Sequence, residues 1–183
     1  MVSKMKTDIN ALSKEVFTWA KSVGWWDDMD RCPFQTLQLF STEVAEATEG
    51  ERKNLMDDKV PHRPMGEVEL ADVVIRAVDM AGRYGWKYVS DDISFEYGTK
   101  TIGAMHLMLN KLIIRLADTI LINGCESDLY INGIYSELIT SCYYIAEKQG
   151  YDLDGAIVDK LEFNRHRADH KRENRKLENG KVF

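Results

Sequence analysis

GEVELADVVIRAVDMAGRYG, residues 66 to 85, is the stretch of sequence that decides the fold. Apolar residues between positions 67 and 81 wrap most of a helix circumference, which is typical of a helix buried inside a bundle. The charged residues recur at steps of three and four, so they share one face of that helix. They are Glu69, Asp72, Arg76, Asp79 and Arg83. The segment therefore predicts a buried helix that carries one polar strip.

The same apolar periodicity predicts five further helices on either side of this segment. Their approximate ranges are residues 8–23, 33–50, 102–122, 128–149 and 152–167, and a polar loop with two prolines spans residues 51–66. No segment alternates polar and apolar residues with a period of two, so no strand is predicted. We predict an all-α fold, a bundle of about six helices that forms one domain over residues 1–183.

Length, composition and charge agree with one compact domain. The chain has 183 residues, of which 44% are hydrophobic and 30% charged, with only 3 prolines. Its 24 Lys and Arg residues against 30 Asp and Glu residues give a net charge of −6, so a nucleic-acid partner is unlikely on electrostatic grounds. Three cysteines without a Cys-x-x-Cys pair indicate a reducing compartment. No apolar run reaches the ~18 residues of a membrane span, so we expect a cytoplasmic protein with no membrane contact.

A faint internal repeat relates the two halves of the chain. With a shift of 65 residues, AGRYGWKY at 81–88 lies over AEKQGYDL at 146–153, and each segment ends an apolar helix in a glycine. One interpretation is a tandem of two helical hairpins, a metal-binding hairpin at about 33–85 and a degenerate second copy at about 99–150. The alternative is that two amphipathic helices simply look alike.

Four acidic residues are candidate metal ligands. Glu43 and Glu46 on the second helix, and Glu69 and Asp72 on the third, form two pairs at three-residue spacing, so each pair shares a helix face. If the two helices pack antiparallel, the four carboxylates converge, and such a group needs a cation to stay ionised. Mg²⁺ fits because it prefers carboxylate oxygens, and Mn²⁺ is a possible substitute. The alternative is an acidic, solvated helix face.

Two further groups of residues are candidates for substrate binding. The first group lies on one face of the last helix and offers donors for phosphate oxygens: Lys160, Asn164 and Arg167. These residues belong to a predicted C-terminal phosphate-side helix and basic tail that covers residues 152–183. A solvated basic tail is the alternative. Trp25 and Trp26 precede the first acidic helix and have the ring area to stack on a base, although such residues are often core aromatics.

The order and spacing of three segments resemble a known family. CPFQTLQLFSTEVAEATEG at 32–50, GEVELADVVIRAVDMAGRYG at 66–85 and DLDGAIVDKLEFNRHRADHK at 152–171 are similar to the MazG-like branch of the all-α nucleoside triphosphate pyrophosphohydrolases. The resemblance rests on the acidic pairs, the gap between them, and the pattern Lys-x-x-x-Asn-x-x-Arg-x-x-His. It covers roughly half of the chain, and residues 88–151 match poorly.

The resemblance implies an enzyme and a role for each candidate residue. The implied reaction is Mg²⁺-dependent hydrolysis of a (deoxy)nucleoside triphosphate to the monophosphate and pyrophosphate, in a homodimer or homotetramer. Glu43, Glu46, Glu69 and Asp72 would hold the metal, and Glu46 is our candidate for the general base. A dUTPase-like enzyme or a phosphoribosyl-ATP pyrophosphohydrolase of the same superfamily remains an alternative. A non-catalytic oligomerisation or adaptor protein is the alternative from another class.

Overall fold

The computed structural model describes residues 5–28, 30–89 and 101–167, and these residues form six helices. The helices are α1 (Ile9–Ser22), α2 (Pro33–Lys53), α3 (Met65–Tyr84), α4 (Ile102–Asn123), α5 (Leu129–Gln149) and α6 (Leu153–His166). The described residues contain no strand, only one isolated bridge between Met56 and Pro64 in the loop between α2 and α3. The predicted all-α bundle of about six helices is confirmed.

The helices begin and end where the local sequence favours it. Three N-cap aspartates accept a hydrogen bond from a backbone N–H in the first turn of their own helix: Asp8, Asp128 and Asp152. Pro33 occupies the first turn of α2, where its missing N–H costs nothing. Both α3 and α5 end at a glycine with positive φ, Gly85 at 75° and Gly150 at 73°.

α3 lies at the centre of the bundle. It packs against α1, α2, α5 and α6, and α4 packs against α2 and α5. Because neighbours surround α3, apolar residues are buried on most of its circumference, as the sequence of residues 66–85 predicts. The two acidic helices, α2 and α3, form a hairpin in this arrangement, and α6 packs against α3.

The proposed 65-residue repeat fits the ends of α3 and α5 better than it fits the beginnings of α2 and α4. α3 ends at Tyr84 and α5 at Gln149, 65 residues later, whereas α2 begins at Pro33 and α4 at Ile102, 69 residues later. The loop of residues 54–64 also has no counterpart of equal length before α5, where the connection is residues 124–128. The duplication stays a prediction.

The described residues include no helix that combines the length and the apolar character needed to cross a bilayer. The predicted basic tail beyond Arg167 lies outside the described residues, and so does the beginning of the predicted second hairpin, at residues 99 and 100.

Gly82 marks a close approach of α1 to α3, and Gly82→Ala is expected to destabilise the fold. A methyl group at Gly82 would lie 2.7 Å from the carbonyl oxygen of Ser13 and closer still to the Cβ of Phe17, so the two helices must move apart. We expect the free energy of unfolding to fall by about 1–3 kcal/mol, measured by denaturant titration. Gly103→Ala is the control because open space surrounds that position. Equal effects of the two substitutions would contradict the close approach.

Candidate metal centre

Three carboxylates converge where α2 packs against α3. Glu43 of α2 and Glu69 and Asp72 of α3 each offer an oxygen, and these oxygens lie within 4.8 Å of one another. Glu43 is 4% exposed and Glu69 is 1% exposed, while the side chain of Asp72 retains 15% of its exposure. The predicted convergence of acids from the two helices therefore occurs for these three residues.

Two cations lie against this carboxylate cluster. Arg76, one turn beyond Asp72 on α3, donates from Nε to Glu43 Oε1 at 2.6 Å, and its Nη2 lies 2.5 Å from the same oxygen. Lys160 of α6 places its Nζ 2.9 Å from Asp72 Oδ2, and its side chain is 2% exposed. Lys160 therefore forms a buried ion pair with one of the acids, instead of projecting from the helix into open solvent.

The cluster holds more acid than its two cations balance. Burial, followed by the charge of Asp72, raises the pKa of Glu69 to about 9, although Lys160 opposes both effects. Burial also raises the pKa of Asp72, despite the lowering effect of Lys160. Glu69 is therefore protonated at neutral pH and hydrogen-bonds to Glu43. This proton supplies the positive charge that a bound cation would otherwise bring.

Glu46 borders the cluster without belonging to the group of three. It lies on α2 one turn after Glu43 and is half-buried. Burial raises the pKa of Glu46, and the charges of Glu43 and Asp72 raise it further, whereas Lys59 and Lys160 lower it. Glu46 thus keeps access to solvent beside Glu43 and Glu69, which are buried.

The loop between α2 and α3 adds two charged residues that the sequence analysis did not single out. Asp57 is 2% exposed, its Oδ1 accepts the backbone N–H of Lys59 at 2.9 Å, and its Oδ2 has no hydrogen-bond partner among the described residues. The charge of Asp57 acts on Lys160, and that of Lys59 acts on Glu46. Their position in the sequence is the one feature that indicates this role. A loop that joins two ligand-bearing helices must pass close to one end of the groove between them.

An ion-pair network fixes α6 against α3 and so sets the position of Lys160. Arg63 Nε donates to Asp159 Oδ2 at 2.6 Å, and its Nη1 donates to Glu67 Oε1 at 3.1 Å. The same oxygen of Glu67 accepts the backbone N–H of Asp152 at 2.6 Å. Glu67, an acid of α3 that is 4% exposed, thus has a structural role at the start of α6.

Asn164 and Arg167 follow Lys160 on α6. Asn164, one turn further along, is 7% exposed, and its Oδ1 has no hydrogen-bond partner among the described residues. Arg167 follows the last residue of α6, and its guanidinium lies 5.5 Å from the centroid of the Phe163 ring. Among the three predicted phosphate-side residues, Lys160 contacts the carboxylate cluster directly, through Asp72.

The two predicted stacking residues lie in different environments. Trp26 is 2% exposed, Arg31 lies 5.2 Å from its ring centroid, and its Nε1 donates to Asp79 Oδ1 at 2.9 Å. Burial raises the pKa of Asp79 to about 7. Trp26 is therefore a core side chain here, and stacking a base on it would require the loop to move. Trp25 is half-buried.

Comparison with known proteins does not identify a family. The chain matches no protein-family model, no curated protein and no solved structure. The resemblance to the MazG-like pyrophosphohydrolases therefore stays a prediction.

Proposed function

We propose that the chain is a Mg²⁺-dependent nucleoside triphosphate pyrophosphohydrolase, with Glu43, Glu69 and Asp72 as its metal ligands. The observation that carries the proposal is the set of three carboxylate oxygens within 4.8 Å of one another in a buried groove. Burying such a set is costly unless a proton or a cation compensates the charge. Cleavage between the α and β phosphates is proposed from the sequence resemblance.

The donor set fits a hard divalent cation. Oxygen ligands of one octahedral Mg²⁺ lie about 3–4 Å apart, so a small contraction of the cluster would bring its oxygens to that separation. Carboxylates alone do not favour zinc, which prefers nitrogen and sulfur ligands. Mn²⁺ takes the same ligands and is the expected substitute. When bound, the cation supplies charge neutralisation at the phosphates and a water of lowered pKa.

The residues around the cluster have complementary roles in this proposal. Glu46, half-buried beside Glu43, accepts the proton of the attacking water, and its raised pKa makes it a better base than a solvated carboxylate. Lys59 and Lys160 supply positive charge on the side of the loop and of α6. Arg76 holds Glu43 in one orientation through its contacts with Oε1.

Product analysis tests the proposed reaction. We expect purified protein with Mg²⁺ and a panel of ribo- and deoxynucleoside triphosphates to release pyrophosphate and a nucleoside monophosphate from at least one of them. Glu46→Gln is expected to lower kcat by about 10²–10⁴-fold, with a smaller change in KM, because it removes the base and leaves the three ligands. Glu49→Gln is the matched control, because Glu49 lies three residues further along α2 in surface ion pairs with Arg52 and Lys53.

Three outcomes would contradict the proposal. Release of orthophosphate in place of pyrophosphate would contradict α–β cleavage. Unchanged turnover in Glu46→Gln would remove Glu46 from the mechanism. Absence of hydrolysis with every nucleotide, together with no rise in melting temperature on addition of Mg²⁺, would favour the non-catalytic adaptor alternative. A site filled at 100 times its dissociation constant should add about 2.7 kcal/mol to the free energy of unfolding.

A further inference from the structure

Asp57, in the loop between α2 and α3, is a buried carboxylate with one oxygen bound and the other unpaired. Its Oδ1 accepts the backbone N–H groups of Lys59 at 2.9 Å and Val60 at 2.6 Å. Its own N–H donates to the carbonyl oxygen of Arg63 at 3.0 Å, so the residue is held inside the turn. Asp57 is 2% exposed, and within the described part of the chain no donor reaches its Oδ2. Because an unpaired buried carboxylate oxygen is costly, we expect a donor to reach it in some state of the protein.

Lys160 of α6 is a buried cation beside this turn. Its Nζ lies 2.9 Å from Asp72 Oδ2, and its side chain is 2% exposed, so the ammonium group has little access to solvent. The charge of Asp57 acts on Lys160. The charge of Lys160 acts in turn on Asp58 and Lys59, the next two residues of the loop. A lysine has a flexible four-carbon stem, so its ammonium group can change partners without any movement of the helix.

We propose that Asp57 is the second partner of Lys160: the ammonium group moves from Asp72 to Oδ2 of Asp57 when Asp72 becomes a metal ligand. This inference rests on the proposed metal centre and adds a positioning residue to it. A carboxylate that holds a divalent cation is a poor partner for an ammonium group, because the two cations repel each other. A buried ammonium group without an anion is strongly unfavourable. Oδ2 of Asp57 removes that cost and keeps Lys160 buried.

The charge balance of the metal-bound site supports this role of Asp57. With the three ligand carboxylates ionised around a divalent cation, Arg76 and Lys160 leave the buried group with one positive charge in excess. The carboxylate of Asp57 cancels this excess. Glu46 and Lys59, at the edge of the group, add one charge of each sign. Asp57 is therefore the acid that the metal-bound state needs.

Asn164 offers a different buried acceptor, but a weaker one. Its Oδ1 also has no hydrogen-bond partner in the ranges that the structure describes, and it lies one turn after Lys160 on α6. A helical side chain leans toward the N-terminus of its helix, so the side chain of Lys160 leans away from Asn164. An amide oxygen also carries no net charge with which to neutralise an ammonium group. Asp57 is thus the better acceptor in both geometry and charge.

Calorimetric titration of the full chain with Mn²⁺, without nucleotide, tests the exchange of partners. We expect Asp57→Asn to weaken Mn²⁺ binding by about tenfold or more, because Lys160 then has no anion to move to. Asparagine keeps an oxygen for the backbone N–H groups of the turn, so the melting temperature in EDTA should stay close to that of the original protein. The matched control is Asp58→Asn, which removes the same charge one residue later, where the side chain is 80% exposed. It should change the affinity by less than about threefold.

The same substitution in a Lys160→Met background separates the exchange from a simple loss of negative charge. With no ammonium group present, Asp57→Asn should change the affinity by less than about twofold relative to Lys160→Met alone. Lys160→Gln is a second background, because its amide can donate to Asp72 and carries no charge. An equal loss of affinity with and without Lys160, or no loss in the original background, would overturn the exchange and leave the metal centre in place. Absence of Mn²⁺ binding to the original protein would overturn both.

Discussion

Glu69→Gln is expected to make the metal-free protein more stable near neutral pH and to abolish Mg²⁺-dependent turnover. Glu69 is 1% exposed, and its pKa is raised from an ordinary value of 4.5 to about 9, first by burial and then by the charge of Asp72. Its neutral form is therefore the one that the fold prefers. Glutamine has nearly the same shape as the protonated glutamate and cannot ionise. The substitution therefore removes the free-energy cost of keeping a carboxyl group protonated at neutral pH.

The sign of the pH dependence follows from the direction of this shift. A carboxyl group with a raised pKa in the folded state contributes most stability below its unfolded pKa and loses that contribution as pH rises toward about 9. The free energy of unfolding of the original protein should therefore fall between these two pH values relative to that of Glu69→Gln. Near neutral pH the difference is on the order of 3 kcal/mol, which corresponds to several degrees in melting temperature.

Addition of Mg²⁺ should narrow the difference in stability between the two proteins, and should reverse it above roughly 1,000 times the dissociation constant, where binding adds about 4.1 kcal/mol. The original protein gains stability when the cation replaces the proton on Glu69, whereas Glu69→Gln has lost a ligand and gains little. The turnover of Glu69→Gln should be lower than that of the original protein by at least about 10³-fold. Thermal unfolding in EDTA and in Mg²⁺ at several pH values, together with pyrophosphate release, measures both effects.

Glu67→Gln is the matched control for this prediction. Glu67 is an equally buried acid two residues earlier on α3, but it is paired with Arg63 and accepts the backbone N–H of Asp152. Its replacement should destabilise the protein at neutral pH and leave the response to Mg²⁺ in place. A Glu69→Gln variant that is less stable than the original protein in EDTA, or that keeps full turnover, would contradict the role of Glu69 as a ligand.

The sequence predicts the helices well because their signals are local. Apolar periodicity and caps such as Pro33 and Gly85 lie within each helix, so the predicted and observed bounds differ by only a few residues. Glu69 and Asp72 are also recognisable, because acids that interrupt an apolar helix need a partner. Their convergence with Glu43 needed only the assumption that α2 and α3 form a hairpin.

The rest of the site depends on how distant segments pack. Lys160 has the right chemistry for phosphate, but its partner Asp72 lies 88 residues earlier, and the Arg63 network determines which turn of α6 faces α3. In the sequence Asp57 is an ordinary loop residue, and its effect on Lys160 follows only from the way the loop packs.

Lys160→Met is expected to produce the opposite change in stability from Glu69→Gln and to tighten metal binding. Burial alone would lower the pKa of Lys160, but Asp72 and Glu69 raise it, so this amine stays charged across the neutral range. Methionine retains much of the aliphatic length and removes the charge, which leaves Asp72 without its partner at 2.9 Å. Losing one member of a buried pair costs about 3–5 kcal/mol, measured by denaturant titration in EDTA.

The same substitution should strengthen metal binding although it weakens the fold, because Lys160 and a divalent cation compete for the carboxylate of Asp72. With the amine removed, Mn²⁺ or Mg²⁺ should bind at least about tenfold more tightly by calorimetric titration, and saturation should restore most of the lost stability. Lys59→Met is the control, since Lys59 is paired with the exposed Asp58 at 3.1 Å, and it should cost less than about 1 kcal/mol. Weaker metal binding in Lys160→Met would mean that the amine supports the ligands rather than competing with the cation for them.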